Sequence, residues 1–327
     1  MTLEETVHRA LRITLAGVAL AVSTNQALAA EIGAAGEPIK LAVNEWTGQQ
    51  VTTQIVGKIL QEAGYKVEFV TAGYQNMWQA MSEGTLHAAL EVWGSNVTDE
   101  YKQMNAAGKI EDLGELGLTA REGFAYPPHV AELCPGLPAW EALKQCSAAF
   151  ATPETLPLGR LVDYPGDWGT PGADRIKAIG LPFKAIPAGS EGALVAEIKA
   201  SVERKSPLLA VFWMPHWAVS HYDLKFVDLP KGTPECYSDA SYGPNPKATG
   251  DCDFLPTRVF KTAWPGFKEK WPAAYEILKG FTLSTEAQQP LMGAVDVDGK
   301  SVEVVTKEWI TANDANWRPI VEAAVKK

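Results

Sequence analysis

The chain has 327 residues and a formal net charge of −10 at pH 7, with 39 acidic and 29 basic side chains. An acidic chain without a basic stripe argues against binding to nucleic acid or to an anionic membrane surface. A length of roughly 300 residues after removal of a leader exceeds one ordinary core and suits two domains.

The first residues have the pattern of a secretory signal peptide. Arg9 and Arg12 precede an apolar run over residues 13–22, and the small-residue site Ala27-Leu28-Ala29 follows. Cleavage after this site would make residues 1–29 a signal peptide. An N-terminal membrane anchor is the alternative, but the run is shorter than the roughly 20 residues that a span needs. We therefore expect a soluble, exported protein.

The N-terminal part alternates between strand and helix. Hydrophobic periodicity predicts strands at 39–44 and 67–70, a third strand that ends at Trp93, and helices at 49–63 and 75–83. This rhythm predicts a parallel, doubly wound sheet.

A second unit begins near Glu122, and the end of the chain returns to helices. The clearest elements of the second unit are a helix over 191–204 and a strand over 208–212, which Pro215 ends. Helices are expected again at 267–281 and over 309–325. A chain that builds one unit, then a second, and then returns implies two crossovers and a two-strand hinge. The expected domains are lobe I, residues 30–121 plus 257–327, and lobe II, residues 122–256.

Four tryptophans lie where apolar strands run out into loops or turns. Trp46, Trp93 and Trp213 each follow an apolar run, and Trp168 lies in a turn rich in Pro and Gly. Ligands of open α/β sheets bind outside the carboxyl ends of the strands. Indole faces gathered there suit a cation without hydrogen-bond donors, such as a quaternary ammonium group. Each tryptophan taken alone is more typical of a core or interface residue.

The cysteines favour two local disulfides. Three pairings of four cysteines are possible, and the close spacings favour Cys134–Cys146 and Cys236–Cys252. Metal binding is the alternative, but there is no Cys-x-x-Cys and no nearby set of histidines. An exported chain meets an oxidising compartment, which favours the disulfides.

The loop over residues 230–253 is rich in Pro, Gly and oxygen-bearing side chains. Asp239, Asp251 and Asp253 are candidate ligands for a structural Ca²⁺, together with Asn245. The spacing fits no EF-hand, so a solvated loop held by its disulfide is the other interpretation. No other cofactor is expected.

The sequence contains no recognisable enzyme motif. It lacks a Gly-x-Ser-x-Gly elbow, His-Glu-x-x-His, a Walker loop and Gly-x-Gly-x-x-Gly. His216 is more typical of a packed or capping histidine than of a catalytic base. Glu45 and Glu91 are expected to face away from Trp46 and Trp93, in a second shell or in solvent. A weaker hypothesis is that one of them supplies negative potential to a cationic guest.

Three motifs resemble those of betaine-type solute-binding proteins of ABC importers. Phe212-Trp213-Met214-Pro215-His216-Trp217 is similar to that family's aromatic-Trp-x-Pro-aromatic-Trp motif. Pro165-Gly166-Asp167-Trp168-Gly169 is similar to its Pro-Gly-Trp-Gly turn with one residue inserted, and Glu91-Val92-Trp93 to the segment of its first-lobe tryptophan. The resemblance extends from about residue 38 to the C-terminus.

The resemblance implies a two-lobed venus-flytrap fold that closes on a methylated ammonium compound and delivers it to an ABC permease. It implies a cage of Trp93, Trp168 and Trp213, with Trp46 as a fourth wall, and backbone N–H groups of Gly169 and Thr170 for a ligand carboxylate. A betaine-binding relative has a histidine four residues after its first cage tryptophan, where this chain has Val97. That departure leaves room for a smaller oxygen, as in trimethylamine N-oxide.

The sequence therefore favours a monomeric binding protein for trimethylamine N-oxide or glycine betaine. Choline, carnitine and proline betaine are alternative ligands. An exported hydrolase of choline-like esters is the alternative from another class, and it would need an activated nucleophile in the cage. Binding of an amino acid would require an Arg for the α-carboxylate, and binding of a sugar more Asp and Asn beside stacking rings.

Overall fold

The computed structural model describes residues 32–325, so the predicted signal peptide lies outside the described residues. The strands within this range are β1 (Ile39–Val43), β2 (Val67–Thr71), β3 (Ala88–Trp93), β4 (Glu111–Glu115), β5 (Arg121–Tyr126), β6 (Gly159–Asp163), β7 (Phe183–Pro187), β8 (Ala210–Met214), β9 (Lys225–Phe226) and β10 (Val259–Ala263).

Helices flank the strands through the whole described range. They are α1 (Thr47–Glu62), α2 (Met77–Ser82), α3 (Asp99–Ala106), α4 (Val130–Leu133), α5 (Ala142–Cys146), α6 (Pro171–Ile179), α7 (Glu191–Arg204), α8 (Trp217–His221), α9 (Phe267–Lys270), α10 (Pro272–Gly280), α11 (Thr285–Asp296), α12 (Val302–Ala312) and α13 (Asp314–Val325). Short 3₁₀ turns lie at Ser147–Phe150, Gly166–Trp168 and Glu235–Tyr237.

The strands form two separate five-stranded sheets of mixed direction. The first has the order β2-β1-β3-β10-β4, and the second has the order β7-β6-β8-β5-β9. In the first, β1 runs parallel to β2 and β3, while β10 runs antiparallel to β3 and β4. In the second, β6 runs parallel to β7 and β8, while β5 runs antiparallel to β8 and β9.

The order of the strands gives a two-lobed α/β fold. The chain leaves the first sheet after β4 and returns to it only at β10, so two connections join the sheets. The first sheet and its helices are called lobe I below, and the second sheet and its helices lobe II. The α/β, two-lobed prediction is confirmed.

Helix α1 shows why the first lobe packs as it does. Val51, Ile55, Ile59 and Leu60 all lie on its inner face and are at most 1% exposed. A Cβ atom at Gly57 would lie 2.4 Å from Cζ of Phe69, so this glycine lets α1 approach β2 closely. The helix was predicted from this apolar stripe at helical spacing, and in the structure the stripe faces the sheet.

Several predicted bounds differ from the structure. The strand expected at 208–212 is β8, so Trp213 lies inside a strand instead of after it. The apolar run continues from 208 to 214 and gives no internal signal for the start of the strand. The helix expected at 267–281 is divided into α9 and α10, because Pro272 occupies the first turn of a new helix. The stretch 309–325 belongs to two helices that meet at Asn313.

The disulfides pair as the spacings predict, Cys134 with Cys146 and Cys236 with Cys252. Cys134, Cys236 and Cys252 are at most 1% exposed. Within residues 32–325, no helix has the length and hydropathy that crossing a bilayer would require.

We expect no reactive thiol in the mature protein, because each of the four cysteines is in a disulfide. Titration with a thiol reagent in denaturant, without reductant, should find none, and titration after reduction should find four per chain. Two or more thiols before reduction would contradict the pairing.

Candidate functional site

One cavity between the lobes brings all four predicted tryptophans together. We call it the aromatic pocket, and its lining residues are Trp46, Tyr74, Trp93, Asn96, Glu122, Tyr164, Trp168 and Trp213. Four of them belong to lobe I and four to lobe II. The tryptophans are only 4–6% exposed.

The rings of the pocket meet edge to face. Trp168 lies 5.2 Å from Trp46 at 72° and 5.5 Å from Trp213 at 77°, measured between ring centroids and ring planes. Tyr164 contacts both Trp168 and Trp213 at about the same distance and also edge to face. Aromatic pairs favour this arrangement because the positive edge of one ring meets the negative face of another. Since Trp46 and Trp168 come from different lobes, their contact means that the lobes are closed.

Asp163, the last residue of β6, shapes the turn that presents Trp168. Its carboxylate accepts hydrogen bonds from the backbone N–H groups of Tyr164, Gly172 and Ala173 at 2.8–3.1 Å. It therefore joins the end of the strand to the first turn of α6, with Trp168 in the loop between them. Burial raises the pKa of Asp163, and the three N–H groups oppose that rise. A Cβ atom at Gly172 would lie 2.7 Å from the Asp163 carboxyl group, so glycine is needed for this approach.

Trp213 is held from behind by its neighbours in sequence. Phe212 stacks on it at 4.6 Å, and the ring of His216 meets it edge to face at 5.0 Å. Nδ1 of His216 accepts from the backbone N–H of Ala218 at 3.0 Å, which leaves Nε2 to donate to Glu191 at 3.2 Å. His216 caps α8 and packs, as expected for a non-catalytic histidine.

Glu91 and Glu45 are not placed as the sequence analysis expected. Glu91 and Trp93 are two residues apart on β3 and therefore share a face, so the expectation of opposite faces was wrong. Oε1 of Glu91 accepts from the indole N–H of Trp46 at 2.8 Å and of Trp93 at 3.2 Å. Glu45 accepts at 2.9 Å from the backbone N–H of Glu191 in lobe II. Burial raises the pKa of Glu45.

Glu191, the first residue of α7, is a second bridge between the lobes. Its Oε2 accepts from the backbone N–H of Thr47 in lobe I at 2.8 Å, and its Oε1 faces His216. Glu191 is 5% exposed and Thr47 is 7% exposed. The two carboxylates Glu45 and Glu191 thus each accept a backbone N–H from the opposite lobe. These bonds stabilise the closed arrangement beside the pocket.

Sequence reasoning missed Glu122, which starts the buried part of β5 and lines the pocket. It is 2% exposed, and its Oε1 accepts from the hydroxyl of Tyr164 at 3.0 Å. Its Oε2 has no hydrogen-bond partner among the described residues, and neither has the indole N–H of Trp168. Burial raises the pKa of Glu122, and the neighbouring Ser95, Tyr164 and Asn96 and the charge of Arg175 oppose that rise. The available signal was a carboxylate directly before the apolar run 123–126.

Gly169, Thr170 and Val97 line an adjoining groove instead of the aromatic pocket. The N–H of Gly169 already donates to the carbonyl of Gly166 at 3.4 Å. Gly169 has a φ of 104°, which favours glycine in this turn. A role of Gly169 and Thr170 in binding a carboxylate stays a prediction.

The carboxylates proposed for Ca²⁺ serve the backbone of their own loop. Asp239 accepts from the N–H of Ser241, Asp251 from that of Asn245, and Asp253 from that of Phe254. Within the part of the chain that the structure describes, no three His, Cys, Asp or Glu residues are grouped to hold a metal ion. The arrangement gives no support to a calcium site, which stays a prediction.

Two lobes that close on a buried aromatic pocket define a substrate-binding protein. The chain belongs to the family of substrate-binding domains of ABC-type glycine betaine transport systems, whose model matches residues 37–312.

Known proteins similar to the chain point in the same direction. It is 29% identical to the trimethylamine N-oxide-binding protein of Pelagibacter ubique (strain HTCC1062) over 293 residues, 88% of this chain and 91% of the other. Among solved structures, a choline-binding protein of an ABC transporter in complex with choline has a TM-score of 0.71 at 16% identity, covering 88% and 96% of the two chains. A glycine betaine/L-proline-binding protein of Borrelia burgdorferi has a TM-score of 0.68 at 20% identity, covering 87% and 95%.

Replacement of Glu191 by alanine should lower the free energy of unfolding. The change leaves buried donors on Thr47 and His216 without their acceptor, at a cost of roughly 1–3 kcal/mol for each. Urea unfolding measures the loss. Glu197→Ala is the matched control, because Glu197 lies on the same helix but pairs with the partly exposed Arg160, and this change should cost about 1 kcal/mol or less. Equal losses in the two variants would contradict the role of Glu191.

Proposed function

We propose that the protein captures a small trimethylammonium compound in the aromatic pocket and delivers it to an ABC permease. The proposed ligand is trimethylamine N-oxide, with glycine betaine as the second candidate. The observation that carries this choice is Glu122, a buried carboxyl group in a pocket of four indoles, with one oxygen that lacks a partner.

The indoles provide the attraction for the ammonium group. A cation over an aromatic face gains about 2 kcal/mol or more when it is desolvated. The pocket rings are at most 6% exposed, so a guest among them is removed from water. Contacts with several rings support micromolar or tighter affinity after the costs of ordering are subtracted. This attraction is common to all trimethylammonium ligands and does not choose among them.

Glu122 supplies the choice among ligands. A protonated carboxyl group can donate its O–H to one acceptor, and burial raises the pKa of Glu122 toward that form. An N-oxide has one oxygen to satisfy. The carboxylate of glycine betaine has two oxygens, and each unmet hydrogen bond costs roughly 1–3 kcal/mol. The unpartnered indole N–H of Trp168 is a further donor in the same lining.

The comparisons support the same ligand class. The similar protein from Pelagibacter ubique is named for trimethylamine N-oxide, and the match covers most of both chains. A glycine betaine/carnitine-binding protein of Listeria monocytogenes is 30% identical, but over only 41% of this chain. Ester hydrolysis has little support, because the described residues that line the pocket include no Ser, Cys or His to serve as nucleophile or base.

The cellular setting follows from the same proposal. We place the protein in the periplasm as a monomer after removal of residues 1–29. Closure of the lobes over the ligand would create the surface that the permease binds. No cofactor is required, because binding and release involve no covalent step.

Calorimetric titration with trimethylamine N-oxide, glycine betaine, choline, carnitine and proline betaine tests the ligand. We expect the N-oxide to bind as tightly as glycine betaine or more tightly. Trp168→Ala should weaken binding by roughly 1.5–3 kcal/mol, because it removes the ring that contacts both Trp46 and Trp213. Glycine betaine binding more than tenfold tighter than the N-oxide would overturn the preference.

Binding of the N-oxide should weaken as pH rises through the raised pKa of Glu122. Below that pKa the carboxyl group is protonated and donates to the ligand oxygen, whereas above it the carboxylate repels that oxygen. Glu122→Gln keeps a donor that does not titrate, so its affinity should stay flat over the same pH range. Titrations at several pH values check this, and the same pH slope in both proteins would sink the assignment.

A further inference from the structure

Glu91 lies behind the aromatic pocket, and its carboxylate is bound entirely by donors. Besides the indole N–H groups of Trp46 and Trp93 on Oε1, its Oε2 accepts from Thr52 at 3.0 Å and from Gln288 at 2.6 Å. The two indoles and the amide nitrogen can only donate, so they require an acceptor on Glu91. Burial raises the pKa of Glu91, and these four hydrogen bonds oppose that rise and favour the ionised carboxylate.

The charge of Glu91 has no cationic partner among the residues that the structure describes. The side chain is 2% exposed, and no Lys, Arg or His of residues 32–325 lies within 4 Å of its carboxylate. Burial of an unpaired carboxylate is costly. A neutral glutamine would join the same elements, β3, α1 and α11, without that cost. The presence of a charge therefore needs a further reason.

The reason lies in what the carboxylate binds. Trp46 and Trp93 are pocket walls, and a hydrogen bond from an indole N–H to an anion polarises the ring toward greater electron density. The negative potential at a ring face is what attracts a cation. The charge also acts directly on a guest in the pocket, through a region with little water.

We propose that Glu91 is a positioning residue that holds the indoles of Trp46 and Trp93 by their N–H groups and makes the pocket selective for a positively charged centre. This inference rests on the proposed function. Part of the affinity for the cation then comes from Glu91, which does not itself line the pocket.

Glu91→Gln separates charge from shape. The carbonyl oxygen of glutamine can still accept both indole bonds, and the amide of Gln288 can turn to accept from the new NH₂ group. We expect affinity for trimethylamine N-oxide, measured by calorimetry, to fall about tenfold or more, because the charge is lost. Thr52→Val is the matched control. It removes one bond to Oε2 but leaves the charge and both indole bonds, so its affinity should change less than about threefold.

Indole NMR gives a second readout without ligand. In protein labelled with ¹⁵N-tryptophan, Glu91→Gln should move the indole N–H signals of Trp46 and Trp93. Those of Trp271 and Trp317, which donate to backbone carbonyls of Ala34 and Ile310, should stay. A folded Glu91→Gln protein with native affinity would overturn the inference, as would unmoved signals of Trp46 and Trp93.

If Glu91→Gln does not fold, the variant Glu91→Asp tests the inference. It keeps the charge but withdraws it by one methylene group, so both signals should move and affinity should fall more than about threefold. Native affinity in this variant would overturn the inference. Failure of the native protein to bind any trimethylammonium compound is a different result. It would refute the proposed function, while the NMR signals would still report whether Glu91 holds the two indoles.

Discussion

The contact between Trp46 and Trp168 joins the lobes through two rings that must meet at the correct angle. Each lobe contributes only part of the pocket wall, so the complete set of ring faces exists only in the closed arrangement. The polar bonds around the pocket serve this geometry. Asp163 fixes the turn of Trp168, and Glu191 ties lobe II to the start of α1. The edge-to-face preference sets the angle between two rings, and these hydrogen bonds fix the backbone segments that carry the rings.

Buried carboxyl groups surround the pocket. This is unusual, because burial of Glu side chains costs free energy and is rare in proteins. Glu91, Glu122 and Glu191 are all at most 5% exposed. None of the three has a Lys or Arg within salt-bridge distance among the described residues, and only Glu191 faces a histidine. Such groups are tolerated when N–H and O–H donors surround them. In the proposed site the charge of Glu91 supplies the negative potential for a cationic guest, whereas Glu122 acts as a neutral, protonated donor.

The sequence predicted the parts of the structure that depend on local pattern. Helix α7 and the tryptophans at strand ends follow from hydrophobic periodicity and from the end of each apolar run. Strands β4 to β7, β9 and β10 were not predicted. Of these, β4 and β10 pair with strands far away in the sequence and have weak alternation of their own. Glu122 was missed for a related reason, since its hydrogen-bond donor Tyr164 lies 42 positions later in the chain. Glu91 was misjudged because the spacing of two residues to Trp93 was not applied.

Affinity and choice of ligand are carried by different elements in the proposed site. The ring faces recognise what all trimethylammonium compounds share, and they come from both lobes. Glu122 lies on β5 of lobe II and is proposed to contact the oxygen-bearing group, in which the ligands differ. A change at Glu122 can therefore alter the preferred oxygen while the rings keep their contacts, since its protein hydrogen bond is to Tyr164. Related chains with the same indoles and another residue at this position would then be expected to differ in ligand without a difference in fold.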